Sequence, residues 1–289
     1  MTDFLQFLTS GLLVGGIYAL IALGMVLIFK ATGVFNFASG HLVALGGFIV
    51  FFLIVQIGLP IWIGLICAIL IAAAAGILIE RFSLRRLIGQ SMMSALMATL
   101  AVAYFLQGLM LAVWQGKVYS LPKFLPVGSV SLLATIDVEL LWPFIVSMIL
   151  FGAFAIFFAK TKLGLGMRAT AEDHQLARLK GVNVKFIFSL TWALAAALSA
   201  IAGILLAHRL GVSSSLAYVG FRVIPVVLLG GLESIVGAIV GGLIIGVIES
   251  LVAGYFNAWL MSIAPFIVLL IVMVIKPEGL FGQKRIERV

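Results

Sequence analysis

The chain has 289 residues, 64% of them hydrophobic and only 10% charged, with a formal net charge of +8. A water-soluble domain has nowhere to hide that much apolar surface, so the composition excludes an ordinary globular enzyme and predicts one polytopic membrane domain over 1–289. The basic excess gathers in a few short stretches, which argues against a nucleic-acid partner and matches the bias of Lys and Arg toward cytoplasmic loops and anionic lipid headgroups.

Taken in chain order, residues 4–29 form the first apolar run, ending at Lys30. The run is too long for a signal-peptide core and lacks a basic leader, so it is expected to cross the bilayer and stay. A polar, glycine-containing stretch, 32–41, interrupts the chain before the second run, 42–57. Residues 60–79 follow, then a basic turn with Arg81, Arg85 and Arg86. Residues 92–114 form the fourth run, 115–139 a mixed loop, and 141–159 the fifth. A basic island at 160–185 precedes the sixth, 186–207. A short run at 223–229, containing Pro225 and closed by Gly230-Gly231, comes before two long ones, 235–255 and about 259–275.

Arg81–Arg86, the island, and a tail with Lys276, Lys284, Arg285 and Arg288 are all expected on the cytoplasmic side. That assignment puts the N-terminus outside and the C-terminus inside. It works only if the short run at 223–229 also crosses or dips into the membrane. The fold class is therefore all-α, a polytopic helix bundle of about eight or nine membrane segments. One or two of them are broken or re-entrant, at 32–41 and around Pro225. Broken helices at depth are tolerated where they face protein or a wet cavity, and they mark binding sites in transporters.

The island at 160–185 is too organised for a plain connector. Thr170 is placed to cap a helix, with Glu172 and Asp173 in its first turn, Arg178 and Lys180 in its last, and Gly181 at a left-handed end. A helix of two to three turns at the inner surface is expected, with Leu176 and Leu179 as its apolar contacts. It is suited to dock a cytoplasmic partner; contact of Arg178 and Lys180 with lipid phosphates is the competing reading.

Asn36, Ser39 and His41 cluster in the first break, where Gly33 and Gly40 permit a turn. They either line a solute path or satisfy freed backbone groups. Glu249 lies within an apolar run, where a carboxylate must pair, neutralise or face water; a path or gating role and an interhelical bond both fit. Glu233, in a glycine-rich turn, is expected to be solvated or capping. Gly11/Gly15, Gly237/Gly241 and Gly242/Gly246 have the spacing that lets helix backbones approach. Cys67 is the one cysteine, so no internal disulfide forms. His41, His174 and His208 show no metal spacing, and Gly116-Lys117 lacks the remainder of a phosphate loop. Any ATP hydrolysis has to reside on another chain.

The sequence resembles the permease subunits of bacterial ABC importers for branched-chain amino acids, of the LivH type. The resemblance runs in order through the chain: Gly16-Ile17-Tyr18-Ala19-Leu20 and Ala22-Leu23-Gly24, then Asn36-Phe37-Ala38-Ser39-Gly40. Arg168-Ala169-Thr170-Ala171-Glu172-Asp173 through Lys180-Gly181-Val182-Asn183 follows, then Gly230-Gly231 with Ser234, Gly237 and Glu249, and last Lys276 to Gly282. His41 stands where relatives carry an acidic or amide residue.

The resemblance implies no catalysis and no cofactor on this chain. ATP and Mg would be held by two cytoplasmic ATP-binding subunits docking at Arg168, Thr170, Glu172, Asp173, Leu176, Arg178, Leu179 and Gly181. A second permease (LivM-like, or another copy of this chain) and an extracytoplasmic solute-binding protein complete the expected assembly, in a bacterial inner membrane. The substrate path would include Asn36, Ser39, His41 and Glu249. An ion- or proton-coupled carrier of small polar solutes is the alternative, kept open by Glu249.

Overall fold

The computed structural model describes residues 2–87, 90–131 and 135–282. Helix α1 (Thr2–Thr32) ends at Gly33, whose φ of 68° turns the chain. After a short non-helical passage, α2 (Ser39–Phe51) begins and widens into one π turn, Phe52–Gln56. Pro60 then precedes α3 (Ile61–Phe82), and α4 (Met92–Trp114) starts from Ser91, whose hydroxyl caps Ser94 N. A small antiparallel hairpin, β1 (Ser129–Ser131) with β2 (Thr135–Asp137), leads into α5 (Val138–Lys160). Two short helices follow, α6 (Lys162–Glu172) and α7 (His174–Leu179), before the long α8 (Val184–Leu210). A 3-10 turn, Ser214–Ala217, feeds α9 (Tyr218–Gly230), then α10 (Ile235–Tyr255) and α11 (Ala258–Ile275) complete the bundle.

Seven helical segments among the described residues have the length and composition to cross a membrane, and two shorter apolar helices, Ser214–Gly230 and Trp259–Ile275, join them. The all-α polytopic class expected from the sequence holds. One expectation changes: Pro225 does not interrupt its helix. α9 runs continuously through it, and the break comes at Gly231, with φ 101°. A proline costs one backbone hydrogen bond, which a buried helix packed on its neighbours tolerates.

Contacts sort the helix ends onto two faces. Thr32, Glu80, Gln90 and His174 line one cavity, and Gly33, Met92, Glu233 and Glu278 line the next. Leu280 N and Phe281 N donate to Leu229 O and Gly230 O, tying the segment after α11 to the same side. On the opposite face Tyr119 pairs with Val212, Lys123 Nζ meets Glu139 at 2.9 Å and His208 O at 3.2 Å, and Phe7 packs edge-on against Tyr255. Chain direction therefore alternates through all nine segments. Lys30, Arg81, Arg85, Arg168 and Arg178 belong to the first face, called here the basic face. Lys284, Arg285 and Arg288 lie outside the described residues.

The core is built on close backbone approach. α1 crosses α10 through Gly11, Gly15, Gly242 and Gly246; a Cβ added to Gly15 would lie 2.6 Å from Gly242 O. α2 crosses α8 the same way, with Gly203 against the Val43 carbonyl and Gly46 against Ala200. Between membrane helices, small residues gain dispersion contacts that bulkier ones would block. α1, α2 and α8 are consequently encased, whereas α3, α4 and α11 turn large apolar side chains outward, among them Trp62, Tyr104, Phe105, Trp259 and Val274.

Candidate functional site

The break between α1 and α2 lies well inside the bundle. Thr99 holds it on one side: its hydroxyl donates to Leu96 O at 2.9 Å and to Phe35 O at 3.3 Å, and accepts from Phe37 N at 3.4 Å. Thr99 is seven residues into α4, about 10 Å of helical rise from the basic face. Gly220 touches Gly40 from the other side, ten residues before the end of α9 and about 15 Å from the same face. The start of α2 is thus near mid-depth.

All three residues singled out in the break are buried: Asn36 is 1% exposed, Ser39 3% and His41 6%. Asn36 Oδ1 accepts from Ala38 N at 3.0 Å, and Ser39 Oγ donates to Asn36 O at 2.9 Å. These bonds satisfy part of the freed backbone. Asn36 Nδ2 and His41 Nδ1 have no hydrogen-bond partner among the described residues. His41 faces Gln107 of α4. Asn36, Ser39 and Gly40 line one crevice together with Met25, Phe221 and Ile224.

Glu249 sits apart from this crevice. It is 1% exposed, and its Oε2 accepts from the Tyr18 hydroxyl at 2.6 Å, joining α1 to α10. Arg222 of α9 supplies the nearby positive charge and donates to Ser262 Oγ at 3.5 Å. Tyr18 and Arg222 also border a cavity of about 190 Å³ near the opposite face, with Glu139 and Arg209. The geometry gives Glu249 an interhelical bond.

On the basic face, the island divides into two helices, which corrects the expectation that Thr170 begins one. Thr161 caps α6, its hydroxyl accepting from Gly164 N at 2.9 Å; Thr170 is buried inside α6 and donates to Gly166 O at 2.8 Å. Gly164 lets α6 start early, against the Phe157 and Phe158 carbonyls at the end of α5, and Gly166 faces Ile187 of α8, so Thr170 falls in the interior of α6 and Glu172 at its end. Asp173 is the true cap of α7: its Oδ1 accepts from Gln175 N at 2.7 Å and Leu176 N at 2.9 Å. Gly181 closes α7 in the left-handed region, φ 83°, as expected. Ala177 anchors α7 inward, while Leu176 is 60% and Leu179 82% exposed, three residues apart on the open side. Arg168 donates to Phe158 O and, with Lys30, lies over the Phe158 ring.

Sequence reasoning passed over Glu80, and the structure gives it a central role at this face. Both Arg85 Nε and Nη2 donate to its carboxylate, at 2.9 and 2.6 Å, and Ser189 Oγ donates to Oε2 at 2.8 Å. The network clamps the end of α3 to the start of α8. Glu80 and Arg222 stand at the edges of the apolar runs 60–79 and 223–229, where a charge reads as an ordinary run boundary, yet the structure includes both in the helices α3 and α9. Tyr18, Thr99 and Ser189 carry no charge to mark them. Among the described residues no group of three His, Cys, Asp or Glu is placed to hold a metal.

Comparison with known proteins places this architecture. The family described as "Branched-chain amino acid transport system / permease component" matches residues 7–273. The chain is 32% identical to the high-affinity branched-chain amino acid transport system permease protein LivH of Salmonella typhimurium, covering 99% of this chain and 98% of that protein. Identity to LivH of Escherichia coli K12 is also 32% and to BraD of Pseudomonas aeruginosa 31%, each over 99% of this chain and 98% of the relative. Among solved structures, PsaBC from Streptococcus pneumoniae in complex with Fab shares the fold, with a TM-score of 0.50 and 18% identity over 95% of this chain and 94% of that one. From its first helix to its last, the chain belongs to the permease components of the branched-chain amino acid transport family, and its part in an ABC importer is membrane passage rather than catalysis.

Proposed function

We propose that this chain is a translocation subunit that passes branched-chain or related amino acids inward by alternating access. The observation that carries this reading is the buried polar break at mid-depth, Asn36 to Gly40, wedged between α4 and α9 in a chain of this family. A zwitterion crossing an apolar bundle needs sparse polar groups that substitute for water without trapping it. Asn36, Ser39 and His41 supply them. Glu249 takes part by holding α1 against α10 beside the path.

In this reading the basic face is cytoplasmic, following the distribution of Lys and Arg, and the segment after α11 lies inside. α6 and α7 then form the docking platform for two ATP-binding subunits, which hold ATP and Mg. Leu176 and Leu179 are its apolar contacts. Arg168, Thr170, Glu172, Asp173, Arg178 and Gly181 set its shape and rim. The outward apolar faces of α3, α4 and α11 meet lipid and a second permease, either LivM-like or another copy, and a solute-binding protein docks on the opposite face. Residues 1–289 act as one permease domain in a bacterial inner membrane.

A solute panel against the cognate binding protein, followed by uptake into proteoliposomes holding the full assembly, tests the proposal. Aliphatic amino acids are expected to be taken up in an ATP-dependent manner. Uptake that survives ATP depletion and collapses with an ion gradient would overturn it.

A further inference from the structure

Among the described residues, the one unpaired side-chain group on the crevice at the start of α2 is a donor. Asn36 Oδ1 is occupied by Ala38 N, and this leaves Asn36 Nδ2, on a residue 1% exposed, without a partner among the described residues. A helix start leaves its first backbone N–H groups unmatched as well, and Ala38 at the N-cap brings no side-chain acceptor. α2 is 13 residues long, so the positive end of its dipole adds to these donors. No acidic side chain lines the crevice they share; its other walls are apolar, with Met25, Phe221 and Ile224. The crevice is closed, too narrow for a water molecule, with Gly40 resting against Ala217 and Gly220.

A buried unpaired amide donor beside an uncapped helix start, with no acidic side chain on the crevice, is suited to a ligand that brings its own negative charge. Resting on the reading of the break as the solute path, we propose that the first turn of α2 together with Asn36 Nδ2 is a carboxylate subsite. It receives the α-carboxylate of an aliphatic amino acid, whose side chain lies on Met25, Phe221 and Ile224. Movement of α9 away from Gly40 opens it. Reclosure leaves buried donors unmatched, so the subsite holds solute briefly instead of storing it.

Thiol chemistry tests this in the complete importer under ATP turnover. Cys67→Ala removes the native thiol, and Ser39→Cys places a reporter in the crevice, with Phe221→Cys as a second reporter should the first fail to assemble. Anionic sulfonatoethyl and cationic trimethylammonioethyl methanethiosulfonates are compared, each rate divided by that with a free thiol. The subsite predicts at least a tenfold preference for the anionic reagent. Adding Asn36→Asp, which keeps the acceptor for Ala38 N but removes the amide donor, is expected to bring that preference to parity or below. Equal rates for both reagents without Asn36→Asp, or a cationic preference, overturn the carboxylate subsite and leave the path standing. If neither reagent reacts at either position during turnover, the path reading fails and the subsite with it.

Discussion

Gly40 and Gly220 meet backbone to backbone where α2 crosses α9. A Cβ on Gly40 would lie 2.2 Å from Ala217 O, and one on Gly220 2.3 Å from Gly40 Cα. Neither wall can yield by rotating a side chain. Gly40→Ala and Gly220→Ala are therefore expected to cost at least about 1–3 kcal/mol and to abolish uptake. Gly108, inside α4 with nothing within 4 Å of an added Cβ, is the control: Gly108→Ala is expected to be neutral or stabilising by up to about 1 kcal/mol. Thermal melts of the purified variants in detergent check both.

The Tyr18–Glu249 bond predicts an asymmetry. Tyr18→Phe leaves a buried carboxylate oxygen without its donor, which costs about 1–3 kcal/mol. Glu249→Gln keeps an acceptor for the Tyr18 hydroxyl and is expected to melt closer to the unmodified chain. A larger loss from Glu249→Gln than from Tyr18→Phe, measured by the same melts, would show that the charge on Glu249 and not the hydrogen bond holds α1 to α10.

Leu179 is 82% exposed on a helix whose other side is anchored by Ala177. A carboxylate there leaves the fold alone and spoils an apolar contact with a partner. Leu179→Asp is expected to insert normally yet to separate ATP hydrolysis from uptake, lowering solute moved per ATP at least tenfold. Paired ATPase and uptake assays on the reconstituted assembly read this directly, and an unchanged ratio would remove α7 as the docking contact.

Asn36→Leu fills the crevice with an apolar side chain and deletes the amide, both its acceptor oxygen and its donor nitrogen. Uptake is expected to fall at least tenfold, with assembly retained, as judged by co-purification of the partner subunits. Unmodified uptake would leave Asn36 with only its bond to Ala38 N.

What the sequence made legible follows the range of the forces involved. Apolar runs placed the membrane helices to within about three residues except α9, which starts five residues before the run 223–229, and for 92–114 and 235–255 the ends agree with α4 and α10 outright. Hydrophobic length is a local property, and so is the left-handed end at Gly181. The cap expected at Thr170 falls instead to Thr161 for α6 and to Asp173 for α7, because α6 starts against the end of α5 and carries Thr170 into its interior. The polar break was legible through Gly33 and Asn36, but its depth was not: that depends on Thr99 and Gly220, set by the bundle. Tyr18 and Glu249 are 231 residues apart, and Ser189 is 109 from Glu80. No local pattern links such pairs; only the helix crossings bring them together.

The most direct measurement is solute accumulation in sealed proteoliposomes containing this chain alone, or this chain with a second permease, two ATP-binding subunits and the solute-binding protein. Uphill uptake is expected only in the complete assembly supplied with ATP, with no accumulation when nucleotide or any partner is withheld. Accumulation against a gradient by this chain alone, without nucleotide, would contradict the account.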